Sequence, residues 1–181
     1  CLDRTVTLVF DLEANGLLHD ATKIHCIAIY DSETKETTSY NDECPGKGMS
    51  NPVVRAVQYL EQADYIVGHN IIAYDLPVIR RLYPFFNFTG TVVDTLILSR
   101  CYHNNIIDID KKHQWNHMPL QLYGRHSLES YGYRLGEYKG NFSKTTDWKE
   151  WSQEMEDYCI QDVVVTTKLC DHFHPYLTGS R

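Results

Sequence analysis

Residues 5–40 hold three β-type stretches joined by connections too short to contain a helix, and this constrains the fold most. Residues 5–11 (TVTLVFD) alternate and then run apolar, as a central strand does; 24–30 (IHCIAIY) and 35–40 (KETTSY) follow closely. Asp31-Ser32-Glu33 has the composition of a hairpin connection, so the chain opens as an antiparallel meander. After a Gly-, Pro-, Asn- and Ser-rich loop at 41–51, the pattern changes. Pro52 suits the first turn of an amphipathic helix over 53–62, with apolar residues at 53, 54, 57 and 60. A short strand at 65–68, a helix at 76–83 and a strand at 91–93 come next, and Asp94 is placed to cap a helix over 95–102. Residues 104–121 mix polarities without a period and read as an irregular insertion. A short helix at 127–131 and a long one from 148 to about 177, limited by Pro175, complete the order. The expected fold is α/β: a mixed five-stranded sheet, antiparallel meander then alternating helix and strand, flanked by helices in a single domain spanning 1–181.

Composition narrows the class. Apolar runs are interrupted by polar residues well short of the ~18 positions a membrane span needs, so no membrane partner is expected. No basic, apolar, small-residue leader opens the chain, which begins at Cys1 and ends in Thr-Gly-Ser-Arg, as a trimmed or excised domain does. The six cysteines form no C-x-x-C pair and most sit in apolar or periodic segments, which fits buried reduced thiols. The formal charge of −7 is unusual for a protein that meets phosphates, unless several of its acids bind cations and reverse the local sign.

Three segments place acids in apolar settings. Asp11 and Glu13 form D-x-E at the end of the first strand, where alternation puts both carboxylates on one face. Asp75 lies in GHNIIAYDLP among Tyr74, Leu76 and Pro77, where an unpaired carboxylate is costly. Tyr158 and Asp162 are four residues apart on the long helix and so share a face, ~6 Å apart along its axis. Singly, each has a plain counterpart: a solvated strand end, a helix N-cap at Asp75, and a core tyrosine beside a solvated acid. Together, Asp11, Glu13, Asp75 and Asp162 supply the several carboxylates that two oxygen-liganded divalent cations require, and Mg2+ and Mn2+ prefer such oxygens.

The succession D-x-E, H-N-x3-Y-D-x-P and Y-x3-D resembles the three motifs of the DEDD 3′–5′ exonucleases. The tyrosine four residues before the last acid is the mark of the DEDDy branch; the position of the histidine branch holds Asp157. DLEANGLL, HNIIAYDLP, VDTLILSR, HSLESYGYRLGEYKG and DYCIQDVVVT are similar to the proofreading exonuclease domain of family A DNA polymerases from short-tailed bacteriophages, so the resemblance covers nearly the whole chain. It implies a ribonuclease-H-like fold, two divalent cations (Mg2+ or Mn2+) held by the four acids, and Tyr158 orienting the attacking water. It further implies release of nucleoside 5′-monophosphates from a DNA 3′ end, preferably single-stranded or frayed. A polymerase domain in the same or a partner chain, and action in the cytoplasm of a bacterial host, complete what it implies. Leu17 stands where the family places an apolar wedge beside the terminal base. His69 and Asn70 are expected to hold the loop that carries Asp75, with Asn70 also a DNA contact. Arg100, Arg134 and Lys139 are candidate phosphate contacts, and Phe85, Phe86 and Phe88 either stack on bases or pack in the core.

Three other readings compete. A free-standing nuclease of the same branch acting on RNA or short oligonucleotides shares these motifs, and a catalytically silent docking domain shares the fold. A zinc-binding module is the third, since Cys101-x-His103 and His113-x3-His117 have spacings zinc accepts. No G-x4-G-K-[ST] loop or G-x-S-x-G elbow is present, so nucleotide-triphosphatase and serine-hydrolase chemistry have no motif.

Overall fold

The computed structural model describes residues 5–43, 51–137 and 147–180. β1 (Thr7–Ala14), β2 (Ile24–Asp31) and β3 (Thr37–Asn41) form the expected meander, antiparallel at each step. β4 (Tyr65–Gly68) and β5 (Thr91–Asp94) add in parallel on the far side of β1, giving the order β3-β2-β1-β4-β5. Parallel strands need crossover connections, and α1 (Val53–Glu61) and α2 (Asp75–Leu82) supply them.

Alternation along β1 sorts its side chains between two layers. Leu8, Phe10, Leu12 and Ala14 enter a core shared with Val53, Val57 and Leu60 of α1 and with Leu76 and Ile79 of α2. Val9 faces the opposite way, into a core with Met155, Cys159 and Val163 of α6 (Gln153–Thr178). Asp11 and Glu13 continue that second face toward the C-terminal end of β1, where the register slips between Glu13 and Ala14.

The four-residue spacing of Met155, Cys159 and Val163 forms a helical stripe, and its burial on the sheet fixes the rotation of α6. Burying each large apolar side chain of that stripe is worth about 1.5–3 kcal/mol. Tyr158 and Asp162 ride on the same turns, so the packing that seats the helix also aims them. Farther along, Val165, Leu169 and Phe173 join a third cluster with Ile106 and Tyr131.

Two expectations are corrected. α6 begins at Gln153, capped by the Ser152 hydroxyl that accepts from the Met155 N–H, and not at Trp148, whose carbonyl takes a hydrogen bond from His25 Nε2. Its end is as expected: the helix runs through Pro175 to Thr178 before Gly179 turns left-handed at φ 67°. The segment 104–121 is not an irregular insertion: it contains α4 (Ile106–His113), which follows α3 (Thr95–Tyr102), and a 3-10 turn at Leu120–Leu122. The two buried positions of α4 are Ile106 and Asp110, so an acid stands where the apolar period would have shown. Its burial is made possible by Arg134 at the end of α5 (Leu128–Arg134). The four described cysteines, at 26, 101, 159 and 170, are free thiols; Cys1 and Cys44 lie outside the described residues. Among the described residues no helix is long and apolar enough to cross a membrane.

Candidate active site

Asp11 and Glu13 from β1 and Asp162 from α6 each present a carboxylate oxygen, and the three oxygens lie within 4.8 Å of one another. Asp75, the first residue of α2, is buried close enough to feel the Asp11 charge, although its oxygens are not among the three that lie within that reach. It is not the helix cap, a position held by Tyr74 without a side-chain bond. Burial and the neighbouring Asp11 charge push the Asp75 carboxyl well above the ordinary range. Burial likewise pushes Asp11 up to about 7. Glu13 and Asp162 are raised by burial first and by the Asp11 charge second.

Two buried oxygens of the cluster, Oδ2 of Asp11 and Oδ1 of Asp75, have no hydrogen-bond partner. Leaving buried carboxylate oxygens unmet is expensive, and packing four acids together adds repulsion. Divalent cations offset both costs, and an all-oxygen donor set suits hard ions. The donor set therefore fits the expected ions. Tyr158 faces the same acids: burial, then the charges of Asp162 and Glu13, push its phenol well above its usual value, so it stays protonated.

The turn between β4 and α2 is what carries Asp75 to β1. Gly68 starts it, because a Cβ there would sit 2.2 Å from Ile71 Cγ2 and 3.0 Å from the Phe10 carbonyl. Asn70 takes the left-handed conformation at φ 64°. Asp94 then accepts from the backbone N–H groups of Asn70 (2.9 Å) and Ile72 (3.1 Å) while capping α3 through Leu96 N–H (3.0 Å). The sequence showed only the capping half of that role. His69 locks the turn from beneath: its Nε2–H donates to the His126 carbonyl at 2.9 Å and its Nδ1 contacts the Thr95 hydroxyl at 2.8 Å. Burial holds its imidazole down at about 4, so it is neutral. With both ring nitrogens engaged, His69 is a residue that holds the loop.

Leu17 is 76% exposed on a loop fixed from below, where Tyr74 Oη donates to the Gly16 carbonyl (2.6 Å) and Arg81 Nη1 to the Leu18 carbonyl (2.5 Å). Asn70 and Arg100 line one open cleft of about 450 Å3 together with Arg125, His126 and Ser127. Arg125 escaped the sequence reading, although a basic residue just before the α5 cap was there to be seen. Arg134, expected as a phosphate contact, is instead spent inside the fold. Its Nε and Nη2 grip both Asp110 oxygens at 2.8 and 2.7 Å, with the side chain 5% exposed. Lys139 lies outside the described residues. Phe86 is core and Phe88 packs against it, leaving Phe85 as the exposed ring of the three. Folding does not gather Cys101, His103, His113 and His117. Among the described residues the acid trio alone combines three or more such ligands within reach of one ion.

Comparison with known proteins gives the family of the chain. The family profile of the RNase_H superfamily matches residues 8–174. The "DNA-directed DNA polymerase" of Escherichia phage T7 is 34% identical over 91% of this chain, and that of Enterobacteria phage T3 is 35% identical over 91%. The chain spans 26% of the length of each. Among solved structures, Brucella melitensis NrnC with bound Mg2+ superposes with a TM-score of 0.64 at 18% identity, covering 98% of this chain and 76% of that one. The chain belongs to the RNase_H superfamily and is related over most of its length to part of the DNA-directed DNA polymerases of phages T7 and T3.

Proposed function

We propose that this domain is a divalent-metal-dependent 3′–5′ exonuclease that removes single nucleotides from a DNA 3′ end, in the service of proofreading during phage DNA replication. The observation that carries the reading is the carboxylate cluster itself, with buried oxygens on Asp11 and Asp75 that the protein leaves unmet. Asp11, Glu13, Asp75 and Asp162 would hold two ions, Mg2+ or Mn2+. Such ions supply the acidification of a water and the neutralisation of charge developing on the phosphoryl group. Tyr158, protonated, hydrogen-bonds that water and orients it; it does not act as the base. The water oxygen bonds to the terminal phosphorus as the bond to the 3′ oxygen breaks. The shortened strand keeps that oxygen as a hydroxyl, and a nucleoside 5′-monophosphate leaves. Leu17 wedges beside the terminal base from its anchored loop, while Asn70, Arg100 and Arg125 along one cleft receive the phosphates behind it.

The sequence relatives favour DNA over RNA, and their length favours a polymerase region elsewhere in the same or a partner chain. A 5′-labelled single-stranded DNA, an RNA of the same sequence and a paired duplex, each incubated with the domain and Mn2+, test the reading. A ladder shortening one nucleotide at a time, fastest on the single-stranded DNA, is expected. Release of label as the first product, or cleavage that persists in chelator, would sink it.

A further inference from the structure

The fold replaces the cysteine–histidine quartet with a different pair. His103, at the C-cap of α3, donates its backbone N–H to the Ser99 carbonyl at 2.9 Å; His172 stands on α6. Their Nε2 atoms face each other at 2.7 Å, with ring centroids 5.0 Å apart. Two imidazole nitrogens at that distance share one proton, so one ring donates and the other offers a lone pair. Those two distances make the ring axes nearly collinear, so the nitrogens face each other head-on as a hydrogen-bonded pair; without the proton both become donors to one cation, as imidazoles that hold borderline cations are. Metal–nitrogen bonds of about 2.0–2.1 Å at a tetrahedral angle set the nitrogens about 3.3 Å apart, so the rings must part by about 0.6 Å and each turn by about 35° to aim at one ion.

The surroundings favour that use. Phe173 lies against both rings, with centroids 5.4 Å from His103 and 5.0 Å from His172, and Tyr176 packs at 5.5 and 5.9 Å. These contacts keep the two rings side by side at the junction of α3 and α6. The pair borders a cavity of about 400 Å3, shared with Ile109, His113 and Trp115, which has room for waters to complete a coordination shell. Arg134 lines the same cavity with its charge paired to Asp110.

We infer that His103 and His172 form a second metal site, a bis-imidazole chelate for a borderline divalent cation such as Zn2+, Cu2+ or Ni2+. It differs in chemistry from the oxygen cluster and stands ten residues beyond Asp162, ~15 Å along α6. An ion there pins the end of α3 to α6, closing a loop of residues 103–172 that contains α4 and α5. The test titrates Cu2+ alone into the whole chain, with excess Mg2+ present to fill the oxygen cluster. Electron paramagnetic resonance should show nitrogen coupling from two imidazoles, and Zn2+ under the same conditions should raise the melting temperature. His172→Ala, at an exposed position, and His103→Gln should each remove the two-imidazole pattern and weaken binding by at least about tenfold. Asp162→Asn should leave the pattern in place. Copper held by fewer than two imidazoles in the unaltered chain, or a pattern that survives His172→Ala, overturns the site.

Discussion

Asp75 and Asp110 are both buried carboxylates in the same small domain, and the fold treats them in opposite ways. Asp110 is met on every side: Arg134 donates twice, Trp115 Nε1 donates at 2.7 Å and Gly124 N–H at 2.8 Å. Burial raises its carboxyl, but those donors outweigh burial and hold it below the ordinary range. Asp75 keeps one buried oxygen unmet and its neighbour Asp11 does the same; burial raises both, and the Asp11 charge adds to the rise at Asp75. Glu156 sides with Asp110, taking hydrogen bonds from Asn41 and Trp151. Burial does not distinguish a structural acid from a functional one; the supply of partners does. At Asp110 and Glu156 the chain provides the partners, whereas at Asp11 and Asp75 it leaves one buried oxygen of each without any.

The largest expected effect tests the acid cluster to which unmet Asp11 belongs. Asp162→Ala, with ions in excess, should lower hydrolysis of single-stranded DNA by about 10³-fold or more while the circular dichroism spectrum is kept. Activity retained within tenfold would place the chemistry elsewhere. The met side answers to a different measurement. Asp110→Ala strands the buried Arg134 guanidinium and should cost about 3–5 kcal/mol in denaturant unfolding, with hydrolysis per folded molecule nearly unchanged. Pairing Asp110→Leu with Arg134→Met should recover most of that stability, because no buried charge is then left alone. If Asp110→Ala were nearly neutral, the two acids would not be the opposites drawn above.

That contrast also explains what the sequence could and could not disclose. The meander, the D-x-E pair on one face of β1 and the four-residue step from Tyr158 to Asp162 are consequences of local periodicity, and all were legible. The helix at Ile106–His113 was not, because its inward position is an acid whose partner lies 24 residues away. Arg134 read as a phosphate contact for the same reason: an isolated arginine shows no sign of the carboxylate that will consume it. Asp94 was visible as a helix cap through Leu96, whereas its hold on the Asn70–Ile72 turn arises only when β5 pairs with β4. His103 and His172 are far apart in the chain and meet only in the folded state. Local geometry is written in spacing; satisfaction of polar groups is written in the tertiary structure.

His69 sharpens the comparison through pH. Its folded value of about 4 lies below an unfolded value of about 6.5, so the unfolded state takes up the proton first. The stability it confers is complete above pH ~6.5 and falls as pH drops toward ~4, by about 3 kcal/mol in all. The acid cluster acts with the opposite sign across an overlapping range, so the difference between variants is the readout. Unfolding of the unaltered chain should steepen on acidification relative to His69→Gln. Parallel curves would mean that the turn carrying Asp75 does not depend on a neutral imidazole.

The smallest effect is the most direct probe of an acid the fold leaves unmet. The carboxyl of Asp75 is raised by burial and by Asp11, so in metal-free protein its ionised form opposes folding. A raised acid favours the folded state when protonated: metal-free stability should grow as pH falls through ~7, the Asp11 value, and shrink as pH rises. Asp75→Asn removes one charge from that repulsion and should stabilise the metal-free domain by about 1 kcal/mol above neutral pH, while abolishing most of the stabilisation that Mg2+ gives the unaltered chain. The equivalent change at Asp110 can only destabilise, because there the charge is already matched by Arg134. Metal-free melting curves for Asp75→Asn and Asp110→Asn should therefore move in opposite directions. A shared direction would mean that burial, and not the supply of partners, governs both.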